Sequence, residues 1–438
     1  MNIELDNILL SDKDSDFERK LIELRKSIIQ AAAFTPGDEK YSQLMNILRA
    51  VAKEGDCRIA EFTEKFDGVK LTPDQFRVRP DELEKAHSRM DKALLGSIRQ
   101  AIENVRRYQK EVFIGNSKTC SGGTGIKYTP IRRVGICVPG ASAPLPSTVI
   151  MTAVPAQVAG VKQIAVISPP RHNGSIHPVI LATCHEIGIT EVYRIGGAQA
   201  VAAFAVGTQT IPKVDKIVGP GNAWVQTAKK HYFGFVDIDS IAGPSEVLIL
   251  ATEDADPAWV AADMLSQAEH DPASALVFTD SRAVALAVLE ELRNQLRALR
   301  RAKETAQCLS RYSGIVLFSS FEKAIEWANE FAPEHLQIQC GSKSDAIVEK
   351  IKNAGAIFVG PFSPVATGDY WAGPSHTLPT GMSAKFFSAL SANDFVKSSS
   401  IIRYDKDMLL NAADHIIRLA EAEGLDAHAK SVQIRRAD

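Results

Sequence analysis

The stretch SQAEHDP, beginning at Ser266, places a carboxamide and an imidazole three residues apart at the end of a predicted helix. Asp256 is a favourable N-cap and Pro257 suits the first helical position, so the helix is expected to run towards His270. Gln267 and His270 then share one face, and both side chains can reach one ion from successive turns. This spacing leaves two interpretations open: a metal site completed by distant residues, or a solvated helix end whose histidine interacts with the helix dipole.

Two further stretches place titratable side chains at loop or strand boundaries. FAPEHLQI puts Glu334 and His335 side by side before a strand-like run, which suits a general acid and base. The Gly- and Pro-rich stretch GPFSPVATGDYWAGPSHTLPTG carries Asp369 and His376, and long loops of this kind are often functional. Imidazole, carboxylate and carboxamide ligands together favour zinc among the divalent ions.

The C-terminal stretch EAEGLDAHAKSVQIRR carries Glu423 and His428 beside a predicted short closing helix. The pattern alone is equally typical of a solvated tail. We therefore treat the two residues as candidate site residues and leave the alternative open.

A nucleotide site is the first interpretation of the loop GPGN, which begins at Gly219 after the apolar run KIV and precedes AWVQTAKK. Glycines at a strand-to-helix turn allow the helix N–H groups to face phosphate. The GxGxxG fingerprint fails at its third glycine, where Trp224 stands, so the spacing also fits a plain tight turn.

The elements that must position these residues alternate along most of the chain. The N-terminal part is predicted to be helical, and strands such as VGICV, QIAVIS, EVYRI and SEVLILAT then alternate with helices. Such alternation predicts parallel sheets with helices on their faces. Ligands of open parallel sheets bind beyond the carboxyl ends of the strands, so the loops VPGAS, SPP, IGGAQ and GPGN are expected to matter most.

Composition and charge exclude several functional classes. The chain has 438 residues, 45% of them hydrophobic and 23% charged, which predicts a globular protein of two or more domains. The net charge of −2 gives no basic surface for nucleic acid or an anionic membrane. The six scattered cysteines and the absence of a leader-like or membrane-spanning run predict a cytoplasmic protein with reduced thiols.

Six motifs resemble the histidinol dehydrogenase family; in chain order they are GPGN, AGPSEV, SQAEHDP, FAPEHLQI, GDY followed by PSHTLPT, and EGLDAH. The resemblance covers the chain from about residue 30 onwards. It implies oxidation of L-histidinol to L-histidine through a bound aldehyde with two NAD⁺, at the end of histidine biosynthesis. It also implies one zinc ion per subunit and a homodimer with shared active sites.

The resemblance also assigns roles to individual residues. Glu334 is expected to activate water and His335 to act as the base. The implied zinc ligands, the last of them supplied by the partner subunit, are Gln267, His270, Asp369 and His428. Substrate contacts are implied for these four ligands, for His335, and for Ser245, His376 and Glu423. The implied cofactor-binding positions are Cys137, Gln199 and Asn222.

The resemblance further implies the domain organisation. Two incompletely Rossmann-like α/β lobes are expected, one inserted in the other, with small helical segments at both ends and an intertwined dimer. The expected divisions are an N-terminal segment (1–33), a main lobe with zinc and catalytic residues (34–136 and 246–388), an inserted NAD lobe (137–245) and a C-terminal segment reaching the partner's site (389–438).

Departures from the family pattern keep an alternative open. Cys137 stands where the family commonly has tyrosine, Val365 stands where it has glutamate, and residues 389–396 also differ. These changes allow a paralogue that oxidises another polar alcohol, such as a sulfonated diol, although Glu423 would repel a sulfonate. A binding scaffold without turnover is a third possibility, against which the intact pair Glu334 and His335 argues.

Overall fold

The computed structural model describes residues 5–30, 33–140, 144–270 and 272–436. The chain forms two compact units. The first comprises Met1–Phe113 and Ile131–Phe395, and the second comprises Ile114–Pro130 and Val396–Asp438. The predicted parallel sheets flanked by helices are confirmed, and both sheets belong to the first unit.

The helices of the first unit cover the two sheets. In chain order they are α1 (Phe17–Gln30), α2 (Glu39–Glu54), α3 (Asp56–Asp67), α4 (Pro80–Ser88), α5 (Lys92–Val112), α6 (Pro146–Val158), α7 (Pro178–Ile187), α8 (Gly197–Val206), α9 (Ala223–Tyr232), α10 (Pro257–Ala268), α11 (Arg282–Leu296), α12 (Ala302–Tyr312), α13 (Phe321–Phe331), α14 (Ser344–Val348) and α15 (Val365–Tyr370).

The strands of the first unit form a six-stranded and a five-stranded parallel sheet. The strands of the larger sheet, in spatial order, are β1 (Leu9–Ser11), β11 (Gly314–Leu317), β10 (Ala273–Thr279), β9 (Ser245–Ala251), β12 (His335–Gln339) and β13 (Ala356–Val359). Those of the smaller sheet are β6 (Glu191–Tyr193), β5 (Gln163–Ile167), β4 (Arg133–Cys137), β7 (Lys216–Val218) and β8 (Asp237–Ile238).

Both sheets reverse their strand order at one place. The order changes direction between β4 and β7 in the smaller sheet and between β9 and β12 in the larger one. Neighbouring loops diverge at such a point and leave a crevice at the sheet edge. The strands themselves are nearly continuous apolar runs such as EVLILA, because helices cover both faces of the sheet.

The N-terminal helices pack differently from what the sequence suggests. Residues 34–136 are expected beside the larger sheet, but Leu44 and Leu48 of α2 and Ile59 of α3 share one apolar core with Phe204 of α8, on the smaller sheet. Amphipathic spacing predicts that a helix buries one face but not which sheet receives it. The other predicted lobe boundaries stay predictions.

The second unit combines an antiparallel sheet with a helix pair. Its strands are β2 (Lys118–Thr119), β3 (Thr124–Pro130) and β14 (Val396–Ile402), and its helices are α16 (Lys406–Ala422) and α17 (Asp426–Gln433). Strand β14 pairs with β3 so that Val396 lies opposite Pro130. The two helices pack through small and branched apolar side chains that include Ala413 and Val432. None of the described helices is long and apolar enough to span a lipid bilayer.

Candidate active site

The predicted catalytic residues lie at the amino-terminal edge of the larger sheet. Ser245 is the first residue of β9 and His335 is the first residue of β12, and the two strands pair in parallel with His335 opposite Val247. This position agrees with the expectation that Glu334 and His335 stand at the entry to a strand. Helix α10 explains the position, because it runs back across the sheet and ends just before β10 begins.

Glu334 is a buried carboxyl group held by two donors. Its Oε2 accepts hydrogen bonds from the hydroxyl of Ser245 at 2.6 Å and from the backbone N–H of Glu246 at 2.8 Å. Burial, and to a smaller extent the nearby carboxylate of Asp369, raise the pKa of Glu334 to about 8 against the opposing effect of the two donors. Glu334 is therefore a stronger base, once ionised, than an exposed carboxylate.

The imidazole of His335 is fixed in one tautomer. Its Nδ1 lies 2.9 Å from the backbone carbonyl of Glu246, and a carbonyl can only accept, so Nδ1 carries the proton and donates it. The other ring nitrogen, Nε2, then keeps its lone pair on the side of Asp369, whose Oδ1 is 4.0 Å away. Burial lowers the pKa of His335, so the ring is held in the neutral form that can accept a proton.

Asp369 and His376 reach the same place from the Gly- and Pro-rich stretch after β13. Asp369 lies on the short helix α15, and its Oδ1 is 3.9 Å from Nδ1 of His376. Burial raises the pKa of Asp369, and His335 opposes that shift. The pKa of His376 is lowered to about 4, first by burial and then by His335. The structure thus brings the side chains of Asp369, His335 and His376 together.

The predicted helix before SQAEHDP forms. Asp256 caps α10 by accepting hydrogen bonds from two backbone N–H groups of its first turn, and Pro257 is the first helical residue. Gln267 near the end of α10 is only 3% exposed, and its Nε2 has no hydrogen-bond partner. His270 follows the helix and is an exposed residue, but desolvation and the neighbouring His335 both lower its pKa.

The donor set of the predicted metal site can be tested against these contacts. A divalent cation would satisfy three groups: the unpartnered buried carboxamide of Gln267, the imidazole of His270 with its lowered pKa, and the carboxylate of Asp369, which has no described Lys or Arg partner. Within the part of the chain that the structure describes, no three His, Cys, Asp or Glu side chains are grouped to hold a metal. The residues present therefore fit a metal only as an incomplete set that needs a further ligand.

Glu423 and His428 belong to the second compact unit. Glu423 follows the last residue of α16, and His428 lies in the first half of α17. Both residues are exposed in the single chain. Their predicted contribution to a partner's site stays a prediction.

Glu246 is a site residue that the sequence reasoning missed. Its backbone contacts both Glu334 and His335, and the residue is only 2% exposed. Its Oε1 accepts from the N–H of Gly381 at 2.6 Å, whereas its Oε2 is buried without a partner. Burial and the adjacent Glu334 raise the pKa of Glu246 to about 8. The signal was present in the sequence, because a glutamate inside the apolar run SEVLILA must be buried.

A separate cavity of about 410 Å³ lies at the carboxyl-terminal edge of the smaller sheet. It is lined by the ends of β4 and β5 and by the loops before α8 and α9, and all three predicted cofactor positions, Cys137, Gln199 and Asn222, belong to its wall. Burial raises the pKa of the Cys137 thiol to about 12, so this thiol is unreactive. Asn222 also caps α9, because its Oδ1 accepts from the N–H groups of Trp224 and Val225.

A buried ion pair holds the backbone of the GPGN loop in the cavity wall. Lys229 and Asp239 form this pair; Lys229 donates to the carbonyl of Gly219 at 3.0 Å, and Asp239 accepts from the N–H of Gly219 at 2.6 Å. Gly219 has φ +108°, and a Cβ there would lie 2.3 Å from the carbonyl oxygen of Cys137. The loop is therefore preorganised, and its first glycine is required sterically as well as conformationally.

Known proteins resemble this chain in sequence and in fold. The sequence model described as histidinol dehydrogenase matches residues 35–436. The chain belongs to the histidinol dehydrogenase family. Histidinol dehydrogenases of Rhodopirellula baltica and Oceanobacillus iheyensis are 47% and 48% identical to it, covering 89% and 90% of this chain and 85% and 92% of those proteins. The crystal structure of histidinol dehydrogenase from Elizabethkingia anophelis superposes with a TM-score of 0.89 at 35% identity and covers 98% of each chain.

The departures from the histidinol dehydrogenase pattern have local structural roles. Val365 is 7% exposed and packs in the apolar core that also contains Phe358. Within the segment at 389–396, the N–H of Ala392 donates to Oε1 of Gln109 on α5 at 2.8 Å. Neither contact places a new polar group beside Asp369.

Proposed function

We propose that the protein is a zinc-dependent histidinol dehydrogenase that oxidises L-histidinol to L-histidine with two NAD⁺, through an aldehyde that stays bound. The observation that carries this proposal is the arrangement of Glu334 and His335, two adjacent buried groups with different pKa shifts beside Asp369. A reaction that removes two hydrides from one carbon and adds water between them needs both a base for hydroxyl protons and an activator for water.

His335 suits the first of these tasks. Its Nδ1 proton is donated to the carbonyl of Glu246, so Nε2 can take the hydroxyl proton of the alcohol as hydride leaves. The lowered pKa of His335 keeps this nitrogen unprotonated near neutral pH. The same nitrogen can later accept a proton from the aldehyde hydrate, after the first proton has been released.

Glu334 suits the second task. Its ionised carboxylate can take a proton from water while the oxygen of that water adds to the aldehyde carbon. The hydroxyl of Ser245 and the N–H of Glu246 hold the carboxylate in one orientation. With a pKa of about 8, the group is ionised mainly in alkaline solution, where the overall reaction, which releases protons, is also favoured.

Gln267, His270 and Asp369 would hold the zinc ion, with His428 of a partner subunit as the fourth ligand. When bound, zinc would orient the amino and imidazole nitrogens of the substrate. Ser245, His376 and the partner-supplied Glu423 would contact the substrate. A homodimer with shared sites in the cytoplasm follows from this proposal.

The cavity at the smaller sheet would bind NAD, which accepts the hydrides. Helix α8 begins at Gly197 without a side-chain cap, and Gly196, Gly197 and the buried Gln199 line the cavity. Uncapped N–H groups at the start of a helix favour a phosphate group. Residues 137–245 would thus form the NAD lobe, a Rossmann-like fold with an altered fingerprint.

The decisive assay is NADH formation from L-histidinol by the zinc-loaded protein. Two NADH per L-histidine are expected, with loss of activity on chelation and recovery on zinc addition. Glu334→Gln should remove turnover, whereas the matched control Glu330→Gln, at an exposed residue paired with Lys385, should not. Folded, zinc-loaded protein that forms no NADH from L-histidinol would refute the proposal.

The alternative of a paralogue acting on another polar alcohol rests on Val365 and residues 389–396. Val365 packs in the apolar core with Phe358, and Ala392 contacts α5. A substrate panel that includes a sulfonated diol still separates the two functions. Turnover of the diol with no turnover of L-histidinol would establish the paralogue.

A further inference from the structure

An ion pair lies in the wall of the cavity at the smaller sheet, apart from the predicted cofactor positions. Nε of Arg171, in the loop after β5, donates to Oδ1 of Asp67, the last residue of α3, at 2.8 Å. Both residues line the cavity that Gln199 and Asn222 also line. The pair is therefore part of the same cavity as the GPGN loop.

The two partners differ strongly in burial. The Asp67 side chain is 3% exposed, whereas that of Arg171 is 43% exposed. A carboxylate has acceptor positions on two oxygens, so the bond to Arg171 leaves capacity for a hydroxyl donor. A second anion brought close to Asp67 would meet a poorly solvated negative charge.

The position in the sheet indicates which part of a dinucleotide would lie there. Strand β5 neighbours β4 on the side away from the reversal of strand order, and the loop after β5 contains Arg171. In doubly wound sheets an acidic residue beyond this neighbouring strand binds the 2′-hydroxyl of the adenosine ribose, and an arginine there accommodates a 2′-phosphate. The loop SPPR after β5 has no acidic residue of its own. Asp67 supplies a carboxylate at this place from α3 instead.

We propose that Asp67 and Arg171 form the subsite for the adenosine ribose and make the cavity select NAD over NADP. Asp67 accepts the 2′-hydroxyl and repels a 2′-phosphate. Arg171, which alone would attract that phosphate, is neutralised by Asp67. The inference rests on the proposed use of a nicotinamide dinucleotide and adds the residues that choose between its two forms.

The test compares kcat/KM for NAD⁺ and NADP⁺ in the zinc-loaded enzyme. Asp67→Asn should lower kcat/KM for NAD⁺ and raise the NADP⁺-to-NAD⁺ ratio by about 10- to 100-fold, the range expected for a charge-assisted contact. Adding Arg171→Gln to Asp67→Asn should reverse most of that increase in the NADP⁺-to-NAD⁺ ratio. Glu64→Gln, an exposed change on the same helix, is the matched control and should leave the ratio unchanged.

Binding of ADP-ribose and of its 2′-phosphate, followed by intrinsic tryptophan fluorescence to which Trp224 in the cavity wall contributes, gives a second readout. An unchanged ratio in folded Asp67→Asn, or an equal shift in the Glu64→Gln control, would overturn the inference. If Asp67→Asn does not fold, Arg171→Gln decides: a further fall in the NADP⁺-to-NAD⁺ ratio supports the inference, and no change overturns it. Wild-type enzyme that uses neither dinucleotide would instead refute the proposed function.

Discussion

The hydroxyl of Ser245 should tune the basicity of Glu334. It donates to Oε2 of Glu334 at 2.6 Å, and this bond favours the ionised carboxylate, so it holds the pKa of Glu334 below the value that burial alone would give. Ser245→Ala removes the donor and leaves the N–H of Glu246 in place. A hydrogen bond to a charged group contributes about 1.5–3 kcal/mol, and one pKa unit corresponds to about 1.4 kcal/mol. The pKa of Glu334 should therefore rise by about one to two units.

The sign of the effect on rate follows from the role of Glu334 as a base. A higher pKa leaves less ionised Glu334 at neutral pH, so kcat at pH 7 should fall by about 10- to 100-fold. The loss should shrink as the pH is raised beyond the new pKa. The assay is the pH profile of kcat for NADH formation from L-histidinol, and its midpoint should move towards alkaline pH.

A control separates this effect from general loss of a buried hydroxyl. Ser313→Ala removes a buried hydroxyl that directly precedes β11 and accepts a hydrogen bond from the N–H of Ala275. This change should lower stability without moving the midpoint. If Ser245→Ala raises KM but leaves the midpoint in place, Ser245 only contacts substrate. That outcome would refute the electrostatic reasoning.

Three further predictions concern stability and assembly. The pKa of Glu246 is raised to about 8 in the folded state, so ionisation of this group opposes folding as the pH rises towards that value. Glu246→Gln should therefore raise the melting temperature at pH 9 more than at pH 5. Lys229→Met leaves the buried charge of Asp239 unpaired and should lower the free energy of unfolding, measured in urea, by about 3–5 kcal/mol. Adding Asp239→Asn should recover much of that loss. An equal loss in the single and the double variant would contradict this prediction. Mixed His428→Ala and Glu334→Ala subunits should regain part of the activity that each lacks alone, and no recovery after verified subunit exchange would argue against a shared site.

Some elements were predictable because their signals are local. The helix containing Gln267 follows from Asp256 as N-cap and Pro257 at the first position, and both determine backbone geometry within one turn. Glu334 and His335 were expected at the entry to a strand, and β12 begins at His335. The family resemblance was equally readable and is confirmed.

Other features could not be read locally. The packing of α2 and α3 against the smaller sheet and the convergence of Asp369 and His376 with His335 depend on which elements meet. Glu246 is a further residue whose sequence signal was only partly informative. Its burial was implied by SEVLILA, but its contacts with Glu334 and His335 arise only when β9 and β12 pair.

The sequence by itself determined the kinds of side chain available for chemistry, the helices and strands that carry them, and the family. The tertiary structure decided the tautomer of His335, the raised pKa values of Glu334 and Glu246, and the meeting of Asp67 with Arg171. The physical reason is that propensities and caps act over a few neighbouring residues, whereas desolvation and charge interactions depend on every group brought close in space.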